Sequence, residues 1–256
     1  MAEYKNIGFE EKDKVAYITL KREDLNILNI EMMEEINSAL ESLDEGKKLR
    51  ALVFKAEGKA FSAGVDVSEH TAELVNKMID TFHKMFRHLD KMECPTVALV
   101  HGAALGGGCE LACFCDMVLA GAGVKFGQPE IKVGVFPPVA APAFPQSTAL
   151  KKVYELLLTG DVIKAEEAMA VGLVNQVYPR EEFEKSCEEF IYRLASNSGA
   201  ILRLTKKAIR ESLGKPFAEG LAKSEEIYLK EMMATKDAHE GLAAFMEKRQ
   251  AKWSDE

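Results

Sequence analysis

No stretch of this 256-residue chain reaches the roughly 18 consecutive apolar residues that a membrane-spanning helix needs. The longest apolar stretch, Thr96 to Leu105, is interrupted by His101 and Gly102 and reads as a buried strand. Basic charge is also in short supply. Thirty-three Lys and Arg face 41 Asp and Glu, a net charge of -8, which excludes a general attraction to nucleic acid. A local basic cluster, Arg203, Lys206 and Lys207 in the run Leu202 to Lys207, reads as the solvated face of a helix. Cysteines are few and odd in number: Cys94, Cys109, Cys113, Cys115 and Cys187. Three of them crowd between 109 and 115, but no partner pair follows at zinc spacing, so buried thiols are expected and no metal. The start, Met1 to Lys5, is polar and lacks the apolar core of a secretion signal. Together with the odd cysteine count, this gives the expectation of a cytoplasmic protein.

What the chain does have is apolar mass: 47% of its residues are hydrophobic, enough for one large core. Short alternating runs, Ile7 to Glu10 and Val15 to Leu20, flank Glu11-Lys12-Asp13 and predict a hairpin. Helical spacing from Ile30 to Leu43 follows Asn29 as N-cap. Ala51 to Phe54 is a buried strand, Lys55 to Gly64 a loop, and Leu74 to Met92 a long amphipathic helix stopped by Cys94-Pro95. Thr96 to Val100 is the next strand, Gly102 to Gly108 a turn feeding a helix that runs to about Cys115, and Met117 to Ala120 a further strand. Strand, glycine turn and helix recur, which predicts an α/β fold of stacked β-β-α units with parallel pairing. Half of the eight prolines fall between Val135 and Gln146, predicting a rigid, shaped loop rather than a regular helix, with Phe136 and its neighbours lining an apolar surface. Helical spacing then runs through Leu150 to Thr159, Lys164 to Val171, Glu181 to Leu194, Ala200 to Leu213, Phe217 to Met233 and Thr235 to Arg249. The division expected is a core over residues 1–196 and a helical region over 197–256, which serves oligomerisation or simply covers the core.

Two carboxylates stand in distinctive frames. Glu110 closes Gly106-Gly107-Gly108-Cys109-Glu110, and Glu130 closes Phe126-Gly127-Gln128-Pro129-Glu130. Three glycines where a strand turns into a helix leave amides approachable by an anion. A phosphate-binding loop is excluded because no Lys-Ser or Lys-Thr follows. A second glycine turn, Lys59-Ala60-Phe61-Ser62-Ala63-Gly64-Val65-Asp66, can supply a second amide, and two amides make an oxyanion hole beside two proton-transferring carboxylates. Each glutamate also has an ordinary reading, Glu110 as a helix-start carboxylate and Glu130 as a loop charge. Of the histidines, His83 and His88 do not share a helical face. His101 reads as a satisfied core residue, and His70 is only near the motif.

These segments, from Lys59 to Asp66, His101 to Leu111 and Phe126 to Ile131, resemble the enoyl-CoA hydratase/isomerase (crotonase) superfamily. The likeness extends from the first hairpin to the tail Ala244 to Arg249. It implies a crotonase-like spiral of ββα units and a thioester carbonyl held by the amides of Val65 and Gly107. Lys59, Ala60, Ala63, Asp66 and Val67 would wrap the CoA adenine and pantetheine, and Phe245 and Lys248 would help hold the nucleotide end, sometimes from a neighbouring subunit. Glu110 and Glu130 match the glutamates that hold and activate water. CoA would enter as part of the substrate, with no resident cofactor, and the assembly would be a homotrimer or a dimer of trimers. Two positions depart from the family pattern: Ser68 stands where a lysine is common, and the loop after Glu130 reads Val133-Gly134-Val135-Phe136-Pro137-Pro138-Val139-Ala140-Ala141-Pro142. With Ser-Ala-Gly-Val-Asp-Val-Ser-Glu-His, that loop is most similar to cyclohexa-1,5-diene-1-carbonyl-CoA hydratases of anaerobic benzoyl-CoA degradation. The alternatives are a straight-chain enoyl-CoA hydratase, an isomerase, and, more remotely, RNA binding without catalysis.

Overall fold

The computed structural model describes residues 4–43 and 48–256; the first three residues of the polar start lie outside them. Among the described residues, ten strands form two sheets. β1 (Ile7–Lys12) and β2 (Val15–Leu20) are the antiparallel hairpin, two residues longer in its first strand than the alternation predicts. Asp13 and Lys14 make its turn at positive φ. β3 (Ala51–Ala56), β5 (Thr96–Val100), β7 (Met117–Gly121) and β10 (Gln176–Tyr178) follow in the large sheet, in the order β1-β2-β3-β5-β7-β10. The small sheet has the order β4 (Ala60–Ser62), β6 (Ala103–Leu105), β8 (Lys125–Gly127), β9 (Val162–Lys164). The chain visits the large sheet and then the small one three times running, through β3 and β4, β5 and β6, β7 and β8, so the expected ββα spiral is present.

The large sheet is apolar on both faces, and this is why its parallel strands read as unbroken hydrophobic runs. In β3, Leu52 and Phe54 join the main core, while Ala51 and Val53 face Phe183, Cys187 and Ile191 of α7 (Phe183–Ala195). The main core is closed by α1 (Ile30–Leu43), α2 (Val75–Lys91) and α3 (Gly107–Phe114), and holds Phe54, Phe61, Phe82, Phe126 and Phe144. Asn29 Oδ1 accepts from the Met32 amide at 3.0 Å, the N-cap its position predicts.

Several expectations need correction. The loop 55–64 and the turn 102–108 contain β4 and β6, and β8, β9 and β10 carry no alternation; strands of three residues are too short to show a period of two. The proline stretch does contain helical turns, α4 (Ala140–Ala143) and a 3-10 turn at Phe144–Gln146. Pro142 fits because a four-residue helix lies within its own first turn, where an N–H has no intrahelical acceptor to lose. α5 (Leu150–Thr159), α6 (Ala165–Ala170), α8 (Gly199–Ser212), α9 (Phe217–Glu226) and α10 (Lys236–Met246) complete the chain. A π turn at Ile227–Glu231 and a 3-10 turn at Met232–Ala234 end what the sequence reads as one helix to Met233.

The basic run on α8 is not a solvated face. Lys206 is buried, and its Nζ donates to Asp116 Oδ2 at 2.6 Å and to the Cys94 carbonyl at 3.0 Å, which fastens α8 to the strand ends. The tail is fastened as well. Asp255 is fully buried and accepts from Arg50 Nε at 3.0 Å, Arg50 Nη2 at 3.1 Å and the Gly199 amide at 2.7 Å. Among the described residues, no helix is long and apolar enough to cross a membrane, and no group of three His, Cys, Asp or Glu is placed to hold a metal.

Candidate active site

Three neighbouring small-sheet strands run parallel and deliver one piece of the site each. β4 leads into Gly64, Val65 and Asp66; β6 leads into Gly106 and α3; β8 leads into Gln128 and Glu130. Parallel strands end on the same side, so the three turns meet at the carboxyl edge of the sheet, where ligands of α/β folds bind.

The first turn is held by Leu28. Its amide donates to Gly64 O at 2.8 Å, and its carbonyl accepts from Asp66 N at 3.0 Å. Backbone direction alternates along an extended segment, so the intervening Val65 N–H points away from Leu28. The second turn presents Gly107, the first residue of α3, whose N–H has no carbonyl in the preceding turn. The two turns touch: a Cβ on Gly107 would lie 2.6 Å from Val65 Cγ2 and 3.0 Å from Phe82 Cζ. Glycine is therefore demanded at 107 by packing, and that packing seats the turn carrying Val65 against the turn carrying Gly107. Gly106 has φ +51°, and a Cβ there would meet Glu130 Oε1 at 2.7 Å.

Glu110 is 2% exposed. Its Oε1 accepts from the amides of Val139 at 2.8 Å and Ala140 at 2.7 Å, at the N-terminus of α4. This corrects its reading as a cap of its own helix: the carboxylate reaches across to the proline-rich segment. Burial pushes its carboxyl from the usual 4.5 up to about 7; the two amide bonds oppose the rise and the nearby charge of Glu130 adds to it. Glu130, on the 3-10 turn Pro129–Val133, is less enclosed, and burial raises it to about 6. At pH values between these two the pair carries about one proton, an acid and a base within one site. Beside two amides that can hold an oxyanion, the pair can add or remove water across a double bond conjugated to a carbonyl.

The remaining predicted residues differ in how far they are buried. Ala60 is buried in β4, and the Ala63 amide donates to Leu25 O at 2.9 Å. Asp66 accepts from the amide of Ser68 at 3.0 Å and from its hydroxyl at 2.7 Å, with Arg22 Nη2 at 3.9 Å. Val67 and Lys59 are exposed at the rim, and Lys59 pairs with Asp24. Phe136 is 67% exposed, against the expectation that it lines an apolar wall; Val139, Ala140 and Phe144 are the parts of that segment turned inward. Phe245 is 85% exposed at the end of α10, and Lys248 follows it at φ +56°. His101 Nε2 meets Gly58 O at 3.0 Å, satisfied as expected, but the residue is half-buried rather than in the core. Three contributors escape the sequence reading: Arg22, Phe82 and Gln128. The only signal for Gln128 was its place between Gly127 and Pro129 on the approach to a functional glutamate.

The enoyl-CoA hydratase/isomerase family model matches residues 10–256. Among similar proteins, the probable enoyl-CoA hydratase echA8 of Mycobacterium bovis is 36% identical over 250 residues, covering 96% of each chain. The short-chain-enoyl-CoA hydratase of Clostridium acetobutylicum is 33% identical over 259 residues, 96% of this chain and 97% of that one. In structure, an enoyl-CoA hydratase from Bacillus anthracis superposes with a TM-score of 0.92 at 30% identity, over 98% of this chain and all (100%) of the other. The chain belongs to the enoyl-CoA hydratase/isomerase family.

Proposed function

We propose that this protein is a hydro-lyase that adds water reversibly to an enoyl-CoA thioester. The observation that carries the reading is the pair Glu110 and Glu130, both raised toward neutrality, with Glu130 against Gly106 at the head of the helix that carries Gly107 and Glu110. In this reading the amides hold the thioester oxygen as it gains charge, and losing one such donor typically costs about 3–4 kcal/mol of barrier. One carboxylate takes a proton from water as its oxygen bonds to the β-carbon, and the other carboxyl supplies a proton to carbon. Isomerisation would need no water. The relatives named as hydratases support hydration, and so does the retention of both glutamates. CoA enters with the substrate, no resident cofactor is required, and the site is cytoplasmic. Lys59, Ala60, Ala63, Asp66 and Val67 line the CoA path.

The acyl group we favour is the ring of cyclohexa-1,5-diene-1-carbonyl-CoA, giving 6-hydroxycyclohex-1-ene-1-carbonyl-CoA in anaerobic degradation of aromatic acids. Support comes from the proline-rich segment, whose Val139 and Ala140 amides grip Glu110 and whose composition resembles the dienoyl-CoA hydratases. Water oxygen adds at the β-carbon, the electrons run through the second double bond, and the proton lands at its far end. Straight-chain hydration is the second reading, favoured by the Clostridium relative. Assembly into trimers, or pairs of them, would place the exposed Phe245 and Lys248 near a neighbour's nucleotide, and the exposed Phe217 and Met246 suit such a contact.

A spectrophotometric hydration assay with crotonyl-CoA and the cyclic dienoyl-CoA separates the two readings. Preference for the linear ester rejects the ring, and deuterium from solvent appearing at the α-carbon of the cyclic product rejects the 1,4-addition. Glu130→Gln should lower turnover by hundreds-fold or about that scale; near-normal turnover would remove Glu130 from the chemistry.

A further inference from the structure

The turn that carries Val65 is laced to one short stretch of chain, Ile27 to Ile30. Leu28 holds its near end through the Gly64 carbonyl and the Asp66 amide. Arg22 bridges its middle, with Nη1 donating to Ile27 O at 2.9 Å and Nη2 standing 3.9 Å from Asp66 Oδ2. The far end has a side-chain bond of its own: Glu69 Oε2 accepts the Ile30 amide at 2.8 Å. Glu69 closes the 3-10 turn Val67–Glu69, which grows straight out of Asp66, and the Asp66 side chain caps that turn at the Ser68 amide. Ile30 is the first residue of α1, so its N–H has no carbonyl in a preceding helical turn. A carboxylate placed there also meets the positive end of the α1 dipole. The next such amide with a side-chain acceptor, that of Met32, is taken by Asn29, so Glu69 and Asn29 divide the helix start between them. Without the Glu69 bond the turn hangs from Leu28 and the longer approach of Arg22, and it can pivot about the bridge between Leu28 and Val65. An amide that must point at a developing charge is sensitive to such a pivot, since a misplacement of about 1 Å can cost about a hundredfold in rate.

We propose that Glu69 is a positioning residue, whose carboxylate fastens the far end of the Val65 turn to the start of α1 and so fixes where the Val65 amide points. The kinetic consequence rests on the hydratase reading; the fastening itself belongs to the resting protein. Glu69 does not touch the reacting atoms and acts through the backbone of the turn. Three variants separate its parts. Glu69→Ala removes the acceptor, Glu69→Gln keeps one without the charge, and Glu69→Asp keeps the charge one methylene short of Ile30.

The test pairs hydrogen exchange with kinetics on the full-length protein. By mass spectrometry, amides in the segment 62–70 should exchange about tenfold faster in Glu69→Ala and Glu69→Asp, and at close to the parent's rate in Glu69→Gln. With the substrate that the hydration assay selects, kcat should fall about tenfold or more in the first two variants while KM changes by less than about threefold. Glu69→Gln should bring kcat back to within about threefold of the parent. Unchanged exchange in Glu69→Ala overturns the proposal, and so does a variant that melts at lower temperature yet keeps the parent's kcat, which leaves Glu69 as a helix cap alone. A parent protein without hydratase activity rejects the proposed function, while the exchange rates still decide whether Glu69 fixes the turn. Should Glu69→Ala fail to fold by circular dichroism, Glu69→Asp carries the same comparison against Glu69→Gln.

Discussion

Replacing Glu110 by Gln should stabilise the fold at pH 8 while removing activity. Glu110 is 2% exposed, and its carboxyl titrates near 7 rather than 4.5. Below pH 4.5 both the folded and the unfolded chain keep the proton, and burial of Glu110 exacts no ionisation penalty. As pH rises from 4.5 toward 7, the unfolded chain ionises first and folding loses ground; above 7 the penalty is constant. A separation of this size corresponds to about 3 kcal/mol. A glutamine at 110 stays neutral, and its carbonyl can still accept from Val139 and Ala140, so the variant escapes the penalty without leaving those amides unpaired. The expected gain is up to about 3 kcal/mol at pH 8, shrinking below about 0.5 kcal/mol at pH 4.5. Urea unfolding followed by far-ultraviolet circular dichroism measures it, with both proteins at one concentration because assembly would shift the midpoints. A variant less stable than the parent at pH 8, or a difference that does not change with pH, would refute the reasoning.

Gly107→Ala should lower kcat by about a hundredfold or more with modest loss of stability, because a methyl 2.6 Å from Val65 Cγ2 must drive the two amide-bearing turns apart; steady-state kinetics and a thermal melt together read it. The kcat/KM profile should be a bell of limited height with limbs near 6 and 7, values that belong to the glutamate pair jointly; a flat profile from pH 5 to 8 would contradict the shared proton. Asp255→Ala leaves Arg50 partly buried without its carboxylate and should cost about 3 kcal/mol or more, seen as a lower urea midpoint with little change in KM for a short acyl substrate.

Most of the large sheet was legible because five of its six strands are five or six residues long and its central ones are buried on both faces. The small sheet was not, although it builds the site. Its strands are three residues each, and Ala103 to Leu105 looks from composition like more of the glycine turn. The meeting of the Val65 turn, the Gly107 turn and Glu130 was legible from their glycine frames and the family resemblance. The grip of Val139 and Ala140 on Glu110 was not, because it joins side chain to backbone across 29 and 30 residues of chain and uses groups every residue has. Lys206 shows the limit of charge patterning: a lysine in a basic helical run looks solvated until Asp116, 90 residues away, is brought beneath it.

The order of the three small-sheet strands has an evolutionary consequence. Neighbouring strands stand about 4.8 Å apart, so the turn after β4, the turn after β6 and the turn after β8 are fixed at a regular pitch whatever residues they carry. In the proposed reaction, gripping the carbonyl would depend on the first two turns, and moving protons on the second and third. On that reading, mutation of the third turn and the segment beyond it would explore new reactions while the turns assigned to hold the thioester stay anchored one strand away.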